Sequence, residues 1–126
     1  MNSKFTMIVR IVLAITLLAF GLNKLLPSPF IPLPALPEEA SNFMTSLGKT
    51  GYILKFVGFL EITIGLMLIL KKWVPFALIV LAPISVNILL FHLFLDTSGL
   101  VGAIFVAVLN GILIYKHWRL YKPLFN

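Results

Sequence analysis

The sequence predicts an all-α fold: a four-helix transmembrane bundle forming a single domain over residues 1–126, with a Pro-rich segment and a short amphipathic helix between helices 1 and 2. Three observations carry this. Of the 126 residues, 60% are hydrophobic and 11% charged, and mean hydropathy is +1.08, so there is too little polar surface to cover a soluble globule. Four apolar runs use up most of the chain, each close to the roughly 20 residues that a helix needs to cross a bilayer. The basic residues sit at the ends of those runs, as positive-inside topology requires.

The first run, Met7 to Leu22, follows Lys4 and contains Arg10. It resembles the front of a secretory signal, with Ala19-Phe20-Gly21 as a weak small-x-small site. No polar stretch precedes that site, and the run continues into Asn23, Lys24 and further leucines, so we read an uncleaved first transmembrane helix. From Pro27 to Pro37 the sequence is PSPFIPLPALP, too dense in proline for helix. An extended course is expected, with Phe30, Ile31, Leu33 and Leu36 laid on the bundle end or the interface. Pro37 then suits a first helical position, Glu38 and Glu39 suit the first turn, and Phe43, Met44 and Leu47 recur at helical spacing before Gly48. These signals predict a short amphipathic helix with a glycine stop, too short to span, capping the bundle.

The second span, Tyr52 to Leu70, carries Lys55 near its start and Glu61 near its centre. Gly58, Glu61 and Gly65 share one helix face, where small residues admit a neighbouring backbone and direct the carboxyl into the contact. Lys71-Lys72-Trp73 forms a short link, with Pro75 just inside the third span, which runs from Val74 to Leu95. Asp96 to Gly99 is a tight turn. The fourth span, Leu100 to Tyr115, brings Gly99, Ala103, Ala107 and Asn110 close to one face. Links this short make successive spans antiparallel neighbours. Lys4, Arg10, Lys71, Lys72, Lys116, Arg119 and Lys122 fall on one side, against Lys24, Lys49 and Lys55 on the other. Both termini are therefore expected in the cytoplasm.

Polar residues inside apolar spans are the functional candidates. By helical rise, Glu61 lies near the midplane, Asn87 somewhat outward, His92 near the outer interface and Asp96 at the outer mouth. Asn23, Lys24 and Lys55 sit at that same outer end. The expectation is an outward-opening pocket walled by the first three membrane helices, with His92, Asp96, Asn23, Lys24 and Lys55 at its rim and Glu61 and Asn87 at its floor. His92 and Asp96, four apart, can pair along one face. Asn87 and His92, five apart, stand about 140° from one another and cannot point the same way. Glu61 could instead act as interhelical glue with Lys55 or Asn87. Such bonds yield only about 0.6 kcal/mol on average in membranes, a weak return for burying a carboxyl, which favours a functional role. Asn87 and Asn110 fit ordinary glue, and His92 with Asp96 fits a proton-sensitive latch or plain surface chemistry equally well.

Several classes are excluded. The chain has no cysteine, so thiol relays, disulfides and cysteine-ligated metals do not arise. The net charge of +6 is spread over span ends without a stripe, which argues against nucleic acid. His92 and His117 belong to opposite ends and cannot share a haem, and no spacing matches a metal motif. Neither a phosphate-cradling glycine loop nor a nucleophile elbow is present. The chain carries no autonomous catalytic motif, and a redox role would need a bound cofactor or a partner.

Four stretches together resemble the DoxX family over nearly the whole chain: GLNKLLP with FIPLP at Gly21 to Pro34, TGY at Thr50 to Tyr52, GFLEITIGLMLIL at Gly58 to Leu70, and LAPISVNILLFHLFLD with GL at Leu81 to Leu100. The resemblance implies a four-helix integral protein of the bacterial inner membrane. It marks Asn23, Lys24, Glu61, Asn87, His92 and Asp96 as characteristic positions without assigning a reaction. The wider family includes relatives of a thiosulfate:quinone oxidoreductase subunit and proteins linked with membrane-associated oxidative-stress complexes. Lack of cysteine speaks against an autonomous sulfur-redox enzyme. The leading expectation is an accessory or binding protein in the lipid bilayer, for a small hydrophobic or quinone-like ligand or a partner protein. The alternatives are an oxidoreductase subunit passing electrons to quinone, with Glu61 and His92 handling protons, and a small proton-coupled transporter, which four helices without a repeat disfavour.

Overall fold

The computed structural model describes residues 3–26 and 35–126, so the course expected for the proline-rich segment lies mostly outside the described residues. Six α-helices follow in order: α1 (Lys4–Leu25), α2 (Glu38–Lys49), α3 (Ile53–Leu70), α4 (Val74–Phe94), α5 (Leu100–Lys116) and α6 (Trp118–Tyr121). Among the described residues there is no strand. Helices α1, α3, α4 and α5 are long and apolar enough to cross a membrane, and the protein is an all-α, multi-pass membrane bundle.

Local chemistry sets the helix ends. The Ser3 hydroxyl accepts the Thr6 N–H at 3.1 Å and caps α1, satisfying a donor the helix cannot. Helix α2 starts at Glu38 as the Pro-Glu-Glu signal predicts, but it runs through Gly48 to Lys49. The reversal is made by Gly51, whose φ of 81° lies where glycine is favoured. Between α3 and α4 the chain turns within three residues by placing both Lys71 (φ 56°) and Trp73 (φ 53°) in the left-handed region. The Lys72 N–H returns to the Met67 carbonyl at 2.9 Å, the long-reach bond of a Schellman ending. Pro83 sits within α4 on its exposed side, where the missing N–H leaves the Ile79 carbonyl without its helical donor.

Helix α1 packs on α3 and α5, and α4 packs on the same two. The ring order is therefore α1, α3, α4, α5, with α1 and α4 diagonally opposed. Leu13, Leu17, Leu68, Leu78, Leu81 and Leu113 are buried along the axis. Large apolar side chains such as Phe59, Phe76, Phe94 and Val101 remain exposed, a surface suited to lipid rather than water. Helix α2 lies against α3 and reaches α4 through Phe43, whose ring centroid is 5.6 Å from that of Phe91.

Two polar contacts fix the α4 seams. The Ser85 hydroxyl donates to Asn110 Oδ1 at 2.9 Å and Asn110 Nδ2 donates to the Leu78 carbonyl at 3.2 Å, so the buried amide joins α4 to α5. The Tyr121 hydroxyl donates to the Pro75 carbonyl at 2.6 Å, tying α6 back to the start of α4. Burial pushes the Tyr121 phenol up to about 12 from an ordinary 10. A raised phenol pKa means that this contribution to stability is complete below pH 10 and is lost as pH climbs from 10 towards 12. An alkaline titration followed by tyrosinate absorbance should show a late step in that window which Tyr121→Phe removes, with about 1 kcal/mol of stability lost at neutral pH.

Candidate functional site

The site begins with two glycines. A Cβ added to Gly21 of α1 would stand 2.8 Å from the Gly58 carbonyl oxygen of α3, and one added to Gly58 would stand 2.9 Å from the Gly21 oxygen. Backbones in this contact leave room for no side chain on either residue. Two turns further along α3, Gly65 meets Leu18 and the Ala14 carbonyl in the same way. The small-residue face expected on the second span is thus real, and its partner is α1.

That seam sets the register between Lys24 and Glu61. Side chains of an α-helix lean towards its N-terminus. Because α1 and α3 are antiparallel, Lys24, three residues beyond Gly21, leans into the bundle, while Glu61, three residues beyond Gly58, leans towards the α1 C-terminus. They meet: Lys24 Nζ donates to Glu61 Oε1 at 2.7 Å. Glu61 is 2% exposed and the Lys24 side chain 26%. The carboxylate is enclosed, and of the two side chains only that of Lys24 is partly exposed.

Ammonium has three donors. Glu61 takes one at the pair's inner side, and the exposed part of Lys24 can present another to an acceptor arriving at the end of α1. The arrangement can hold a carbonyl or similar acceptor of a small amphiphilic molecule. A nucleophile–base pair is absent from it. No group of three or more histidine, aspartate or glutamate side chains capable of holding a metal occurs among the described residues.

A second polar cluster closes the α4–α5 turn. His92 Nδ1 donates to the Asp96 carbonyl at 3.1 Å and stands 3.6 Å from Asp96 Oδ2. Ser98 Oγ donates to Asp96 Oδ1 at 2.6 Å. Asp96 is buried, while His92 packs edge-on to Phe91 at a centroid distance of 5.0 Å. Gly99 lies against the imidazole so closely that any Cβ would collide with it. The expected His92–Asp96 pair is present, and it is bound up with the turn. No hydrogen bond or ion pair among the described residues joins it to Lys24 and Glu61.

The remaining sequence candidates go elsewhere. Asn87, expected on the floor beside Glu61, is exposed on the outward face of α4. The buried stripe of that helix is Val74, Ala77, Leu78, Leu81 and Ser85, and a residue two positions past Ser85 stands about 200° away. Lys55 is exposed at the start of α3, and Glu61 pairs with Lys24 instead. Asn23 is buried and makes an interaction of its own. The expected walls also change, since the first and third membrane helices are diagonal and the Glu61 seam belongs to the first and second.

Sequence reasoning passed over Arg10 as a residue with a bonding role. Its Nη1 donates to the Leu68 carbonyl in the last turn of α3, a favourable place for a cation near a helix C-terminus. Ser85 was also missed. Its position in the same stripe as Ala77, Leu78 and Leu81 was the available signal.

The fold and this seam define a class: a small multi-pass membrane bundle whose first two spanning helices cross at facing glycines and hold a lysine–glutamate pair with its carboxylate buried. The DoxX family model matches residues 5–93, a stretch holding α1 to nearly the end of α4 and both halves of the pair. The chain belongs to the DoxX family. Comparisons with curated proteins and with solved structures return no match.

Proposed function

We propose that the protein is an accessory membrane component that binds a small hydrophobic, quinone-like molecule at the outer end of the α1–α3 seam, with Lys24 as the group that holds it and Glu61 as the group that holds Lys24. The supporting observation is the Lys24–Glu61 pair, whose carboxylate is buried and whose lysine side chain is partly exposed. Buried ion pairs rarely repay their desolvation, and an apolar pair of similar volume often folds as well. A pair at this depth is therefore better explained by what it binds. A quinone carbonyl accepts from an ammonium, and the aliphatic tail would lie along the apolar outer surface of α1 and α3.

The experiment is native mass spectrometry of protein purified in mild detergent, with quinone extracts added back. Wild type should retain a small lipophilic molecule, and Glu61→Gln should lower that retention about tenfold by loosening Lys24. Protein that carries no such molecule and takes up no added quinone would sink the reading. The binding mode also implies orientation. Seven of the ten Lys and Arg residues lie at the end holding both termini and the α3–α4 link, and positive-inside topology assigns that end to the cytoplasm of an inner-membrane protein. Reporter fusions after Lys72 and Thr97 should report opposite sides, with residue 72 inside.

A further inference from the structure

The outward face of α4 carries a polar side chain that the bundle does not use. Phe76, Ile79, Pro83, Asn87, Leu90 and Phe94 follow one another at intervals of three or four along the helix and are all exposed, so they form one straight stripe. Helix α4 packs on α3 and α5 with its other side, which holds Ala77, Leu78, Leu81 and Ser85. We propose that the stripe is where two copies of this chain meet side by side, with their Asn87 amides hydrogen-bonded to one another across a two-fold axis along the membrane normal.

Two polar groups on the stripe lack partners. Asn87 lies seven residues before Phe94, the last residue of α4, which at the helical rise puts it about 10 Å inside the outer end. An asparagine side chain is too short to reach the interface from that depth, and acyl chains offer neither donor nor acceptor. Among the described residues no hydrogen bond engages this amide, whereas the Asn110 amide is bonded to Ser85 and the Leu78 carbonyl. One turn before Asn87, Pro83 leaves the Ile79 carbonyl without its helical donor on the same exposed side. Freed carbonyls of this kind are tolerated in spanning helices because a neighbouring helix satisfies them, and no described helix of this chain covers this side of α4.

Symmetry identifies the neighbour. Seven of the ten Lys and Arg residues lie at one end of the bundle, so every copy inserts with the same orientation. Two copies inserted alike and closed by a two-fold axis place each residue opposite its own equivalent at the same depth. The group on such an axis must be complementary to itself. A carboxylate or an ammonium would repel its copy, but a carboxamide has an acceptor oxygen and two donor hydrogens, so each Nδ2 can donate to the other Oδ1. Hydrogen bonds of this type between spanning helices are an established source of association. The remaining five residues of the stripe are uncharged, and α4 stands diagonally across the bundle from α1, so the contact leaves Lys24 accessible.

The chain has no cysteine, so single-cysteine variants of the full chain, reconstituted in phosphatidylcholine vesicles and oxidised, report which faces meet. Leu90→Cys should give a disulfide-linked dimer, while Ile15→Cys on α1 and Val108→Cys on α5, at comparably exposed positions, should stay monomeric. Energy transfer between labelled copies, followed on dilution with lipid, should show association weakened about tenfold by Asn87→Leu and changed by less than about threefold by Asn87→Gln, which keeps the amide. Asn87 is exposed, so both variants leave the core intact. Wild type that stays monomeric at every lipid ratio, equal crosslinking at all three cysteine positions, or Asn87→Leu copies that associate as wild type does would overturn the proposal.

Discussion

Lys24→Met should destabilise the bundle by about 3–5 kcal/mol, because it strands a carboxylate that is 2% exposed without the partner that offsets its burial. The reverse variant should cost less. Glu61→Leu removes the enclosed partner and leaves Lys24, whose side chain is already 26% exposed and can swing its ammonium to water at the end of α1. Unfolding in denaturing detergent should therefore rank Lys24→Met below Glu61→Leu, by at least about 1–2 kcal/mol. Equal losses would mean that the two groups are comparably solvated and that the pair is a surface contact.

The second large effect belongs to the glycines beneath that pair. Gly21→Ala and Gly58→Ala each place a methyl group within 3 Å of backbone oxygen on the opposite helix, and backbone cannot yield as a flexible side chain does. Overpacking of this kind costs about 1–3 kcal/mol or more. The Gly58 variant also presses on Lys24 Cβ, so it should disturb the ion pair as well as the helix spacing. Gly102 and Gly111 of α5 are the internal controls, since nothing lies within 4 Å of a Cβ at either. Alanine there should be neutral or stabilising by up to about 1 kcal/mol through helix propensity. Thermal stability of the four variants separates steric glycines from incidental ones, and a destabilised Gly111→Ala would show that α5 has a neighbour on its exposed side.

Helix placement was legible because each span combines apolar length with punctuation at its ends. Pro37 with Glu38 and Glu39 marked α2, Lys71 to Trp73 marked the α3–α4 link, and Asp96 to Gly99 marked the turn before α5. The glycine that ends α2 was misassigned because Gly48 and Gly51 look alike in sequence, and only backbone geometry shows which one adopts positive φ. Lys24 and Glu61 were each identifiable as polar groups in apolar surroundings. Their pairing was not, since residues 37 apart meet only once the register of α1 on α3 is known. The Gly21–Gly58 contact sets that register, and one glycine in a sequence does not announce which other it faces.

Asn87 shows the limit of treating every polar residue in a span as inward. Its side is fixed by the stripe ending at Ser85, and the apolar residues around it are too uniform to show which stripe of α4 is buried. Contacts that run to backbone carbonyls, Arg10 to Leu68 and Tyr121 to Pro75, leave no trace in composition, because a carbonyl acceptor is available at every residue.

A Lys24–Glu61 pair that serves a ligand and one that serves only the fold are separated by the double variant Lys24→Met/Glu61→Leu. An apolar pair in the same seam should bring stability back to within about 1 kcal/mol of wild type. Native mass spectrometry of that variant should then find the lipophilic molecule gone from a folded bundle. A folded double variant that still retains the molecule as wild type does would contradict a ligand-binding role for the pair.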